Sequence, residues 1–203
     1  MAVSADGTSI LWRAGTGRIL VSGTTATFTD VSSLPWGSIV AADKKNANIF
    51  YGVSGSSFYI SRDAGRSFSS SGTLGDSYSP YKIAVHPTVA GDVWVSTDVG
   101  LFHSTNFGAT FTATRSISQA WDIALGTPPS SGGYPAIFSV AKVSGTGGIY
   151  RSDDTGVSLP LLVEIMRLHT SSQSSWVKIN DAQHGFSSHG TIVLAADPRQ
   201  YGR

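Results

Sequence analysis

Twelve Asp and a single Glu, Glu164, are the carboxylates of this 203-residue chain, and pairs of such groups are what general acid–base chemistry needs. Five His accompany them, with no spacing that links them as metal ligands, and the absence of Cys excludes a thiolate zinc site and a disulfide scaffold. Two of the Asp belong to a recurring motif, Ser-x-Asp-x-Gly-x-x-Phe. It is complete as Ser61, Asp63, Gly65 and Phe68, recurs as Ser104, Asn106, Gly108 and Phe111, and begins again as Ser152, Asp154 and Gly156. In this Asp-box, or BNR, pattern the Asp or Asn side chain caps backbone N–H groups of a turn, the Gly takes positive φ, and the aromatic packs on a sheet. Asp63 and Asp154 are therefore read as turn formers rather than as acids. A degenerate copy lies around Ser22 to Phe28.

The motif repeats over 43 and then 48 residues, measured Asp63 to Asn106 and Asn106 to Asp154. A period near ~45 residues with four short strands per repeat is the signature of a propeller blade. Each repeat reads alike. Strand A is apolar (Ile39–Ala42, Ile83–Val85, Ile123–Leu125), and strand B follows a polar turn (Ile49–Val53, Val93–Ser96, Ile137–Val140). Strand C follows a Gly-containing turn (Phe58–Ser61, Leu101–Ser104, Ile149–Ser152), and strand D closes the unit. The expectation is an all-β chain, a partial β-propeller of four-stranded antiparallel blades near 1–34, 36–74, 80–117 and 119–181, with a stub at 186–203.

Composition agrees. Charged residues make up 13% of the chain, while Ser and Thr fill 50 positions, which suits sheets and turns and leaves little for solvent-facing helices. The net charge is +1 with no basic block, so nothing points to a nucleic-acid partner. No apolar run reaches the ~18 residues of a membrane span, and Met1–Gly7 lacks the regions of a signal peptide. No cofactor is implied.

The third motif is interrupted. Residues 157–173, VSLPLLVEIMRLHTSSQ, separate Gly156 from Ser174-Ser175-Trp176, and deleting them restores Ser-Asp-Asp-Thr-Gly-Ser-Ser-Trp. The segment holds the chain's only Glu, Met166 and four of the eleven Leu, with no Gly or Asp. Its 17 residues correspond to 51 nucleotides, bounded by a Val codon beginning GT and a Gln codon able to end in AG. A retained intron is expected, the rival being an insertion that forms a short amphipathic helix. Ala195-Ala196-Asp197-Pro198 repeats a strand A and its turn, so the chain reads as an arc of blades cut at both ends, whose bare terminal faces favour aggregation.

Several stretches together carry a resemblance: Asp92-Val-Trp-Val-Ser-Thr-Asp-Val-Gly-Leu-Phe-His-Ser-Thr105, Tyr134-Pro-Ala-Ile-Phe138, Gly148-Ile-Tyr-Arg-Ser-Asp-Asp-Thr-Gly156, Trp176-Val-Lys-Ile-Asn-Asp-Ala-Gln-His184 and Ala196-Asp-Pro-Arg-Gln-Tyr-Gly202. The chain, apart from 157–173, resembles glycoside hydrolase family 74, the xyloglucanases and oligoxyloglucan reducing-end-specific cellobiohydrolases. That resemblance implies an extracellular enzyme of two seven-bladed propellers, which hydrolyses the β-1,4-glucan backbone of xyloglucan with inversion, using one Asp from each propeller. An inverting pair must stand far enough apart to admit water. The family's Gly-Asp-Ile-Gly-Gly-Phe-Arg-His-like acid motif is absent here, as is the first propeller with the base. The resemblance thus implies the latter part of the second propeller, lacking its N-terminal partner, with no catalytic residue to carry over and no activity alone. The alternative is a non-catalytic Asp-box module that binds glycan or protein. A sialidase-like enzyme is disfavoured, since no Arg triad or Tyr/Glu pair is visible.

In a propeller the D-to-A and B-to-C connections share one face and the Asp-boxes lie on the other. The expected substrate-binding residues are accordingly Trp36, Tyr78, Tyr81, Trp121, Asp181 and His184 in or beside D-to-A connections, and Asp98 in a B-to-C turn. Trp94 is expected in the core. His86 and His103 are expected as polar turn or edge residues. The carboxylates able to approach that face are Asp30, Asp76, Asp98, Asp122, Asp153 and Asp181.

Overall fold

A computed structural model describes residues 1–25, 27–76, 79–155, 175–180, 193–197 and 199–200. Tyr78, Gly156, the 157–173 segment, Asp181 and His184 lie outside the described residues. Sixteen strands are described, arranged as four separate four-stranded antiparallel sheets, with no helix among the described residues. Each sheet is a meander of consecutive strands, the form of a propeller blade.

Blade 1 comprises β1 (Ala2–Val3), β2 (Ile10–Arg13), β3 (Ile19–Ser22) and β4 (Thr29–Asp30). Blade 2 comprises β5 (Ile39–Ala42), β6 (Phe50–Ser54), β7 (Ser57–Ser61) and β8 (Ser69–Thr73). Blade 3 comprises β9 (Pro80–Val85), β10 (Val93–Thr97), β11 (Gly100–Ser104) and β12 (Thr112–Ala113). These three form one compact unit, residues 1–113; blade 4 belongs to a second, residues 114–203. Blade 4 comprises β13 (Ile117–Leu125), β14 (Ile137–Val143), β15 (Thr146–Ser152) and β16 (Val177–Lys178).

Within the first unit, alternation along the strands assigns each face to a neighbour. Leu11, Ile19 and Val21 of blade 1 meet Ala42, Phe50 and Phe68 of blade 2 in one buried cluster. The other face of blade 2, with Tyr51, Val53, Phe58 and Ile60, meets Ile83, Val93 and Val95 of blade 3 in a second. Blade 2 is thus apolar on both faces, which is why its strand B reads as a continuous apolar run.

The Asp-box turns seal these junctions. Ser61 Oγ donates to Asp63 Oδ1 (2.7 Å) and accepts from Gly65 N (2.9 Å), while Ser67 N donates to Asp63 Oδ1 (2.9 Å). Ser104, Asn106, Gly108 and Thr110 repeat these bonds at 2.9, 3.0 and 3.0 Å. In the third copy Ser152 Oγ donates to Asp154 Oδ1 (2.8 Å). Positive φ is shared by the Gly and the residue before it: Ala64 (61°) with Gly65 (87°), and Phe107 (62°) with Gly108 (79°). The Gly is also needed for space. A Cβ on Gly108 would stand 2.2 Å from Phe58 of the preceding blade, and one on Gly65 would stand 2.3 Å from Leu11. Phe68, Phe111 and Trp176 occupy equivalent places, each immediately before the fourth strand of its blade, and Trp176 is buried.

The A-to-B turns carry a second latch. The buried Asp43 accepts from Lys45 N (2.8 Å) and Asn46 N (2.9 Å) in its own turn, from Tyr51 Oη (2.6 Å), and from Gly91 N (2.9 Å) of the next blade. His86 stands at the same place in blade 3, its Nδ1 accepting from Thr88 N (3.1 Å) and Val89 N (3.0 Å). Asp197 caps Arg199 N (2.8 Å) in the same manner within the second unit.

Candidate functional site

In the first unit, the B-to-C turns and D-to-A connections are tied together at one end of the blades. Leu34 begins the platform, its side chain seated where a Cβ on Gly52 would be only 2.7 Å away. Pro35 to Ser38 then form a turn, with Ser38 N and Oγ both bonded to the Pro35 carbonyl (3.2 and 2.6 Å). Gly37 supplies the positive φ (77°) that a type II turn requires at its third position. This turn is pinned to the β2–β3 hairpin of blade 1, since Gly37 N donates to Gly17 O (2.8 Å) and Arg13 Nη1 to Gly37 O (3.0 Å). Trp36, held at its second position, is 75% exposed. A large ring kept in water on a fixed turn has a face open for stacking, whereas a packing residue would be covered.

Tyr81 lies at the same end of blade 3. Ser96 pairs with Lys82 and Thr97 with Pro80, so Tyr81 is the extra residue of a β-bulge and is 40% exposed. Bulges re-aim a side chain out of the pleat. Asp98 sits in the adjacent β10–β11 turn and latches the incoming connection: Ser79 N donates to Asp98 Oδ1 (3.1 Å) and Asp98 N to Ser79 O (3.1 Å). This end of the first unit therefore presents two aromatic rings and a carboxylate.

The second unit repeats the device. Ala120 pairs with Ala141 and Asp122 with Val140, which leaves Trp121 on a bulge in β13. Trp121 lies within a strand, not in the connection before it, because β13 begins at Ile117. Strands β14 and β15 also run further than the sequence suggests, pairing out to Val143 and Thr146 and lengthening the blade at its B-to-C end. Asn180 is structural: its Oδ1 accepts from Ile149 N (2.8 Å), continuing the edge of the sheet.

The candidate carboxylates are differently disposed. Asp30 is ion-paired with Arg18, and Asp153 with Arg151 (3.2 Å). Asp122 is buried, with Oδ1 accepting from Ile123 N (2.7 Å) and Oδ2 from Leu194 N. Asp76 is exposed on the β8–β9 connection. Asp43 and Asp63, like Asp6, have a pKa lowered by hydrogen bonding. Burial pushes Asp43 up, but donors from Tyr51, Gly91, Lys45 and Asn46 outweigh it; at Asp63, burial is outweighed by Ser67 and Ser61. Both lie on the Asp-box and A-to-B end, away from Trp36 and Tyr81. Tyr51 is shifted upward by burial and by its bond to Asp43. Trp94 is buried and stacked on His103 (4.0 Å between centroids), which is bonded to Asp92 (2.9 Å). Among the described residues no cluster of three or more His, Asp or Glu is placed to hold a metal ion.

No family model matches the chain. It is 40% identical over 159 residues to a xyloglucanase of Hypocrea jecorina, covering 78% of this chain and 19% of that protein. It is 30% identical over 213 residues to a Paenibacillus xyloglucanase (100% and 19%) and 31% identical over 205 residues to one of Acetivibrio thermocellus (100% and 22%). Among solved structures, a GH74 enzyme of Niastella koreensis superposes with a TM-score of 0.80 at 26% identity, covering 99% of this chain and 28% of that one. A GH74 xyloglucanase of Xanthomonas campestris gives 0.78 at 26% identity, covering 100% and 27%. The chain spans about a fifth of the length of the curated relatives it matches.

Proposed function

The chain belongs to glycoside hydrolase family 74, and on that premise we propose that it is part of the second propeller of a secreted xyloglucan-degrading enzyme, one that contributes glycan-binding surface without an acid–base pair of its own. The observation that carries this reading is Trp36. It is displayed 75% exposed on a turn fixed by four hydrogen bonds, at the end of the unit that also bears Tyr81 and Asp98. A flat ring stacks on the C–H face of a glucose unit, and a carboxylate or amide nearby takes its hydroxyls. Trp121 offers a comparable ring on the second unit, and Tyr78, Asp181 and His184 complete the proposed contacts.

Inversion places two carboxylates ~6.5–9.5 Å apart across the sugar, with room for water between them. Asp30, Asp122 and Asp153 are held by Arg18, backbone donors and Arg151 respectively, so none is poised as such a partner. The other carboxylate, and the blades that close the ring, are assigned to the rest of the enzyme. Residues 157–173 are assigned to an interruption of the fourth blade's Asp-box, and sequencing spliced transcripts tests that assignment. Incubating the purified chain with xyloglucan and assaying new reducing ends tests the inactivity. None is expected above a no-protein control; turnover that is lost in any single Asp→Asn variant overturns it.

A further inference from the structure

The first unit has two blade junctions, and they are closed differently at the Asp-box end. Between blades 2 and 3, Phe107 fills the space. Its ring lies 2.7 Å from where a Cβ on Gly91 would stand, and the Arg62 guanidinium carbon lies 5.7 Å over it. Between blades 1 and 2, the residue equivalent to Phe107 is Ala64. The two share φ (62° and 61°) and a matching backbone bond, Phe107 N to Gly91 O and Ala64 N to Asn48 O. The residue equivalent to Arg62, following the Ser that ends the third strand, is Gly23. Both plugging side chains are thus missing at this junction, and a groove of about 530 Å³ opens there, within the ~300–1,000 Å³ of small-ligand sites.

The lining combines hydroxyls, apolar surface and one cation. Ser9, Thr24, Thr25, Thr27 and Thr29 bring hydroxyls, Val21 and Ala64 bring apolar surface, Arg66 brings the charge, and among the described residues no carboxylate lines the groove. Arg66 is not required by the turn, since Ala109 takes its place in the next Asp-box. Its Nη1 is anchored on the Asp63 carbonyl (3.0 Å), while Nη2 turns to Gly23, 4.0 Å from a Cβ there. A guanidinium fork matches a carboxylate, hydroxyls match sugar hydroxyls, and the apolar surface matches a ring's C–H face.

We propose that this groove binds a monosaccharide unit bearing a carboxylate, a uronic acid, at the opposite end of the blades from Trp36. The proposal does not rest on the xyloglucan reading. The test is saturation-transfer NMR on the full chain with galacturonate, galactose and acetate as separate probes. Galacturonate is expected to bind at least tenfold more tightly than either of the others. Arg66→Ala is expected to weaken it about tenfold. Ala64→Phe, which installs the residue that Phe107 shows to be compatible with this backbone, is expected to abolish it. Melting temperature reports that each variant is folded. Absence of galacturonate binding, equal binding of galactose or acetate, or binding that survives Ala64→Phe in a folded protein overturns the proposal.

Discussion

Removing the Asp43 carboxylate should be among the most damaging single changes in the chain. The side chain is fully buried and accepts four hydrogen bonds, two within its own turn, one from Tyr51 and one from Gly91 of the following blade. Asp43→Ala strands the Tyr51 hydroxyl and the Gly91 N–H in a site closed to water. Each orphaned donor costs about 1–3 kcal/mol, so a loss of about 2–6 kcal/mol is expected. That is a large share of the ~5–15 kcal/mol that separates a folded domain from its unfolded chain. Tyr51→Phe removes one donor and leaves the carboxylate three others, so it should cost only about 1 kcal/mol. Urea unfolding followed by Trp fluorescence reads both, as a shift in midpoint at constant slope. The lowered pKa of Asp43 adds a pH signature. Its contribution is present above the ordinary carboxylate value and is lost as pH falls through the lower folded-state value. An Asp43→Ala variant within about 0.5 kcal/mol of the parent, the range of a surface substitution, would show that these bonds do not hold the blades together.

Three further outcomes are expected. Gly108→Ala meets Phe58 at 2.2 Å with a φ of 79°, and should destabilise by about 3 kcal/mol in the same urea assay, combining overpacking with left-handed strain. Burial holds His86 below its ordinary pKa, with Asp92 raising and His103 lowering it. Stability should therefore be level above about pH 6.5 and fall as pH drops below that unfolded-state value, and His86→Asn should flatten the fall in pH-dependent melting curves. Trp12 and Phe28, in edge-to-face contact at 5.9 Å, are exposed beside Val3 on the uncovered side of blade 1; Trp12→Ser should lower self-association measured by analytical ultracentrifugation.

What could be read from the residues was local. Strand C and its Asp-box were legible because the Ser, Asp or Asn and Gly that close the turn lie within a few positions and recur. The apolar cores of strands A and B stood out because blade 2 buries both its faces and each neighbour buries the face turned toward it. The lengthened fourth blade was hidden by its own bulges: the extra residues at Ser118 and Trp121 break the alternation that would have announced β13. The latch from Asp43 to Gly91 spans 48 residues, and no local pattern predicts such a bond. Trp36 was legible as an aromatic in a connection. Its exposure depends on Gly17 and Arg13 of a different blade, which only the fold brings to it. The groove at blade 1 had a signal, Ala64 aligned with Phe107, whose meaning needed the space between blades.

The most direct test of the glycan-binding account is affinity gel electrophoresis of the chain through xyloglucan, run beside Trp36→Ala. The account predicts that xyloglucan retards the parent chain and that the retardation is lost in Trp36→Ala, which should keep the parent's melting temperature because the ring packs on little. Mobility unaffected by xyloglucan, or equal retardation of both proteins, would contradict it.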